Sequence, residues 1–257
     1  MALARGRPRE AARLLRRAAD AGLPTAVVLR EQVKDALFWD GDTLVGASAA
    51  KALEERTPEV ALASGTLTAG TDSARMPEYA SNVCTLGRWR LAHGQTGTVR
   101  RSLSWLKTFV TRRPGPAAQV AAQCAITVEA QLAVAEKAPD APARVARLDS
   151  MLLTGPGGSV QDVGNLVVAQ LKEQAGDVHG ALEAVRRREY IFTRSAYLST
   201  YLREEGRLAE LAGDIEGAIA AYRQFLALRA DAEPELREEV DDVRERLERL
   251  LQEGAEH

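Results

Sequence analysis

The chain has 257 residues, enough for one large domain or a short array, and 46% are hydrophobic against 27% charged and 5% aromatic. A formal net charge of −2 leaves no overall field to gather nucleic acid or acidic lipid, which argues against a dedicated nucleic-acid-binding or membrane-surface protein. No stretch approaches the ~20 consecutive apolar residues of a membrane span.

The first segment, ALARGRPREAARLLRRA, is arginine-rich but lacks the uninterrupted apolar core of a secretory signal, so a cytoplasmic protein is expected. It reads as a turn at Gly6 followed by a helix, with Pro8 suited to the first helical turn. Met1 stands just before that turn, so this hairpin lacks nearly its whole first helix: either the array starts on an unpaired helix or the chain is part of something longer, and the second is expected. VKDALFWDGDTLVGASAAKAL predicts two helices around Gly41-Asp42, with Gly46 at a close-packed position and Trp39 on an apolar stripe. Residues 57–82, rich in Gly, Ser and Thr, read as a loop insertion with at most one short helix.

VCTLGRWRLAHGQTGTVRRSLSWL follows, with a small Gly87, a turn at Gly94, and Val99 and Trp105 on the apolar side. TRRPGP (111–116) separates two helices, and VEAQLAVAEKAPDAPARVARL rewrites its turn around Pro139 and Pro142. Cys84 and Cys124 have no paired spacing. They are expected as small buried hydrophobes, with neither a disulfide scaffold nor a zinc site. After LTGPGGSVQDVGN (153–165) come the best-formed units, residues 163–231. There NLVVAQLKEQAGDVHGALEAV turns at Gly176-Asp177, and YLSTYLREEGRLAELAGDIEGAIAAYRQFLAL turns at Gly213-Asp214. In the last unit Leu198, Leu202, Leu208 and Leu211 form one helical stripe, and Ile215, Ala218, Ile219, Tyr222, Phe225 and Leu226 form a second. Gly206 sits mid-helix despite costing roughly 1 kcal/mol against Ala, which points to a helix packed closely on it. Residues 234–252 put Leu236, Val240, Val243, Leu247 and Leu250 on one face and charge on the other, as a capping helix requires.

Turn anchors at 6, 41, 94, 138, 176 and 213 are spaced 35, 53, 44, 38 and 37 apart, the range of two-helix repeats. Gly206, Gly213-Asp214, Ala218, Tyr222 and Leu226, together with Ala169, Gly176-Asp177, Ala181 and Leu86-Gly87, fall where the tetratricopeptide repeat (TPR) keeps its small and aromatic residues. The chain resembles that family. Phe225 stands where the family usually has alanine, and Ala230 replaces the proline that usually ends the second helix. The segment YRQFLALRADAEPELREEV is also similar to the ends of helical-repeat regions in bacterial signalling kinases and transcriptional activators. The resemblance implies an all-α, TPR-like α-solenoid of about five to six hairpins over residues 1–257. Its repeats are degenerate over 1–152, well formed over 163–231 and capped by 234–252.

Catalytic chemistry is not legible. His93 and His179 fall at turns, where solvent exposure is expected, and His257 is remote from both. TGPGGSV lacks the Lys-Ser/Thr of a phosphate loop, having Ser159 and Val160 there, and reads as a linker. The carboxylate pairs Glu204-Glu205, Glu238-Glu239 and Asp241-Asp242 read as solvated helix faces, and Arg112-Arg113 and Arg186-Arg187-Arg188 as solvated helix ends. No enzyme, cofactor or metal is expected, and no nucleic-acid or membrane partner.

Placed on the TPR frame, Arg203 and Arg207 face the groove, with Gln170 from the preceding repeat and Arg88 from further upstream. An arginine fork suits the carboxylates of an acidic or extended partner segment. Equally, these arginines can be surface residues paired with Glu204, Glu205 and Glu210. The function expected is a protein-protein interaction module of a bacterial regulator. The alternative is a small-ligand sensor that holds an anion in the groove.

Overall fold

The computed structural model describes residues 2–38, 43–57, 76–112, 115–154, 163–187 and 197–255. Among them run twelve α-helices and no strand: α1 (Pro8–Asp20), α2 (Thr25–Phe38), α3 (Thr43–Glu55), α4 (Met76–Ala92), α5 (Thr96–Arg112), α6 (Pro116–Ala135), α7 (Ala141–Thr154), α8 (Gly164–Gln174), α9 (Val178–Arg186), α10 (Leu198–Ala212), α11 (Ile215–Leu228) and α12 (Arg237–Ala255). A short 3₁₀ turn, Pro234–Leu236, leads into α12. Each expected turn within the described residues separates two helices or precedes one. Gly41-Asp42 and Trp39 lie outside them. The chain forms two compact units, Ala21–Gln161, and Met1–Asp20 together with Asp162–His257.

In the 21–161 unit each helix packs on its neighbours in sequence. α4 touches α2 and α3 on one side and α5 and α6 on the other. It is buried without interruption from Asn82 to Arg90, so its sequence shows little one-sided periodicity, as a helix covered all round must. Burial so complete demands that its polar groups be paired. Arg30 donates to Asn82 Oδ1 at 2.6 Å, and Asn82 Nδ2 donates to Thr57 Oγ1 at 3.2 Å. Arg90 reaches Glu54 at 3.0 Å and Ser102 at 3.1 Å. Val33, Leu53, Leu86 and Trp89 centre the core, and Trp105 is buried where it stacks on Phe109.

Two expectations about this unit are corrected. Helix α4 begins at Met76, so residues 76–82 of the 57–82 insertion are helical; residues 58–75 lie outside the described part. Cys84 and Cys124 are buried as expected, but they are joined in a disulfide that ties α4 to α6, with Cα atoms 5.4 Å apart. Their separation of 40 residues concealed the pair, because only the packing of α4 on α6 brings the two positions together.

In the other unit, α8–α9 and α10–α11 are hairpins, and α12 packs on α11. Both hairpins turn by the same local chemistry. Gly213 closes α10 in the left-handed conformation, φ 77°, which costs a glycine little. Asp214 then caps α11 by accepting from Gly217 N at 3.0 Å, as Asp177 caps α9 by accepting from Gly180 N at 2.8 Å. Gly206 meets the expectation of close packing: a Cβ there would lie 2.2 Å from Cε1 of Tyr222. Ala218, Tyr222 and Phe225 are buried, as are all five apolar residues predicted for the capping helix. Leu211 and Ile215 depart from their predicted stripes. They are 59% and 37% exposed because they flank the turn, beyond the reach of the neighbouring helices.

The first segment, expected as the opening hairpin of the array, groups with this C-terminal unit. Glu233 N donates to Gly6 O at 2.7 Å, and Arg9 N donates to the Glu233 carboxylate at 2.9 Å. No helix among the described residues is long and apolar enough to cross a membrane.

Candidate functional site

Arg203 and Arg207 lie one turn apart on α10 and therefore share a face. Arg207 meets Glu173 of α8 through two bonds of 2.7 Å each, and Glu204 of its own helix at 2.8 and 3.0 Å. Arg203 donates to Glu239 of α12 at 2.6 Å and comes within 3.7 Å of Glu204. Further along, Tyr222 OH donates to Glu210 at 3.0 Å, and Glu210 also receives Arg246 and Arg249 from α12. The result is a ladder of alternating charge across α8, α10 and α12.

Electrostatics follow from this geometry. The Arg207 hydrogen bonds hold the Glu173 carboxyl below its ordinary range, and Glu173 in return pushes the guanidinium up. Burial, then the hydrogen bond to Glu210, raises the Tyr222 phenol. The pairs are neither fully exposed nor sealed. Arg203 keeps 26% of its side-chain surface, Arg207 31% and Glu173 29%. Such a surface is neutral on balance, with donors and acceptors both within reach of solvent.

Of the four residues predicted to line the groove, the structure brings Arg203 and Arg207 together, with Gln170 one turn before Glu173 on α8 and exposed. Arg88 belongs to the 21–161 unit and is 7% exposed, covered within α4 rather than presented. Glu205, read as solvated, is 8% exposed and accepts from Arg186 at 3.3 Å. Glu239 is likewise drawn into the ladder. Arg186 ends α9 and is exposed, as expected, and it also bridges to Asp214 at 2.5 Å and holds that carboxyl low. Arg187 belongs to the described residues as well, and Arg188 does not. His93 and His179 are exposed, as expected for turn positions.

Glu173 and Glu239 were missed, yet a signal for them exists. The Glu173–Arg207 pair is separated by 34 residues, and Arg203–Glu239, Glu210–Arg246 and Glu54–Arg90 each by 36. Opposite charges 34 to 36 residues apart thus meet across different helices.

A cavity of about 500 Å³ opens in the other unit, lined by Pro24, Thr25, Ala26, Glu55, Arg56, Glu78 and Tyr79. Two carboxylates against one guanidinium is the reverse of what an anion needs. Among the described residues, no group of His, Cys, Asp or Glu is arranged to hold a metal ion. The chain was compared with protein-family models, curated proteins and solved structures, and it matches none.

Proposed function

We propose that this chain is a non-enzymatic protein-interaction module whose hairpins are TPR-like turns of α-solenoid. Its face on α8 and α10, carrying Gln170, Arg203 and Arg207, docks an extended segment of a partner protein. The observation that carries this reading is the ladder: side chains of three helices, spaced at the repeat length, present exchangeable donors and acceptors along one face. A carboxylate on the partner binds by taking the place of Glu173 or Glu204 on Arg207, and a partner donor takes up the carboxylate released. Acidic and mixed-charge segments both fit, and binding weakens with salt. We place the module in a bacterial regulatory protein of the cytoplasm, on the sequence resemblance.

Selection from a library of extended peptides on the folded chain tests the reading. Peptides so selected should lose at least about tenfold in affinity for the Arg203→Gln/Arg207→Gln variant, with its helical circular dichroism unchanged. Neutral glutamine is preferred to glutamate here, because reversal would set like charges against Glu173 and Glu239. If the selected peptides bind the variant as well as the parent, the face is misassigned.

A further inference from the structure

A second surface of the C-terminal unit already holds a peptide: the chain's own first segment. Ala4 is fully buried, and Gly6 is buried with φ 72°. A Cβ on Gly6 would lie 2.8 Å from Cβ of Ala232 and 2.8 Å from Nη1 of Arg229, so the site accepts only glycine there. Glu233 anchors the segment at that glycine and just after it, through its backbone N–H to Gly6 O and its carboxylate to Arg9 N. Charge completes the match. Arg7 approaches Asp231 at 3.6 Å, and Arg9 pairs with Glu235. Beneath, Arg229 is 2% exposed and donates to Ser199 Oγ at 2.9 Å, a floor that does not move with solvent. The segment is held in a turn of its own, Gly6 N donating to Leu3 O at 2.8 Å and Arg7 N to Ala2 O at 3.0 Å, and α1, which follows, contributes no buried residue, so the contact ends within its first turn at Arg9.

We propose that the acidic turn from Asp231 to Leu236 is a docking site for a short segment with a glycine followed by arginines at the next and third positions, that residues 2–9 fill it in cis, and that a partner segment of the same pattern takes the site when the chain's own segment leaves. Backbone pairing through Glu233 supplies register, the absence of room for a Cβ supplies selection for glycine, and Asp231 and Glu235 select for positive charge. This goes beyond the ladder on α8, α10 and α12, and it calls for a basic partner where the ladder accepts an acidic one.

Occupancy in cis lowers the apparent affinity for a trans ligand by the fraction of molecules whose site is open. The test uses the full chain and a labelled peptide, ALARGRPRE, corresponding to residues 2–10, followed by fluorescence anisotropy. Gly6→Leu, which cannot seat its own segment, should bind the peptide at least about tenfold more tightly than the parent chain. Adding Glu233→Lys should abolish that binding, and a peptide with leucine in place of its glycine should not bind. Arg7→Glu/Arg9→Glu releases the segment by charge alone and should reproduce the gain if Gly6→Leu fails to fold. The proposal is overturned if both releasing variants remain helical yet bind no more tightly than the parent, or if binding survives Glu233→Lys. Arg207→Gln should leave the peptide affinity unchanged, which separates this site from the ladder; Arg203 is kept because its partner Glu239 also reaches Arg229 at 3.5 Å.

Discussion

Gly206 and Glu173 show opposite kinds of control by one side chain. At Gly206 two effects compete: alanine would favour the helix by roughly 1 kcal/mol, while its Cβ would strike the Tyr222 ring. The ring cannot swing aside freely because its hydroxyl is held by Glu210, so overpacking at about 1–3 kcal/mol wins. Gly206→Ala should therefore be destabilised by urea denaturation, and Tyr222→Leu in the same chain should recover most of the loss. Glu173 acts through charge. Its folded carboxyl is held below the unfolded value of about 4.3, so its contribution is complete above that pH and is lost as acidification passes through the folded value. At neutral pH Glu173→Gln should cost about 0.5–1 kcal/mol, the range for a partly screened bidentate pair. Once the pH falls below that lowered folded value the variant and the parent should converge; a constant gap across the titration would mean that packing, not charge, carries the effect.

Among the elements, the hairpin turns were the most legible part of the sequence. At Gly176-Asp177 and Gly213-Asp214 a left-handed glycine followed by a capping aspartate announces, within a few residues, where one helix ends and the next begins. Asp214→Ala should remove the cap of α11 and the bridge to Arg186, at a cost of about 1 kcal/mol measured by thermal unfolding. Asp214→Asn, which keeps an acceptor for Gly217 N, should lose only the smaller, salt-sensitive part. Helix α4 was harder to read. Buried on every side, it carries polar residues that pair inside the core, so its start at Met76 looked like more of the preceding loop. The ladder escaped attention for a different reason. Three- and four-residue spacing pairs Arg207 with Glu204, while its bidentate partner Glu173 is 34 residues away on another helix.

For the whole molecule, the two units differ in how they are secured. The 21–161 unit has a covalent tie, Cys84–Cys124, and the other has the docked first segment. A disulfide spanning 40 residues stabilises by about 2–4 kcal/mol, mainly by restricting the unfolded chain. Calorimetry with and without reductant should therefore shift the unfolding of the 21–161 unit and leave that of the C-terminal unit in place. A shift of both together would mean that they unfold as one. The tie also bears on compartment, since disulfides persist where the surroundings are oxidising. Trapping free thiols in the source cells tests the cytoplasmic reading directly: alkylated Cys84 and Cys124 support it, and a protected pair sends the protein elsewhere.

The spacing of the ladder gives the chain a tolerance map for insertions and deletions. A residue added in the Gly176-Asp177 turn lies between Glu173 and Arg207 in sequence, yet the loop can bulge and leave both helix faces where they are. The same residue added inside α10 between Arg203 and Arg207 would turn the two arginines about 100° apart around the helix axis, so that they could no longer meet Glu239 and Glu173 together. Length variants of this protein should therefore accumulate at the turns, and a single-residue change within α10 should be purged even where every substituted side chain would be acceptable.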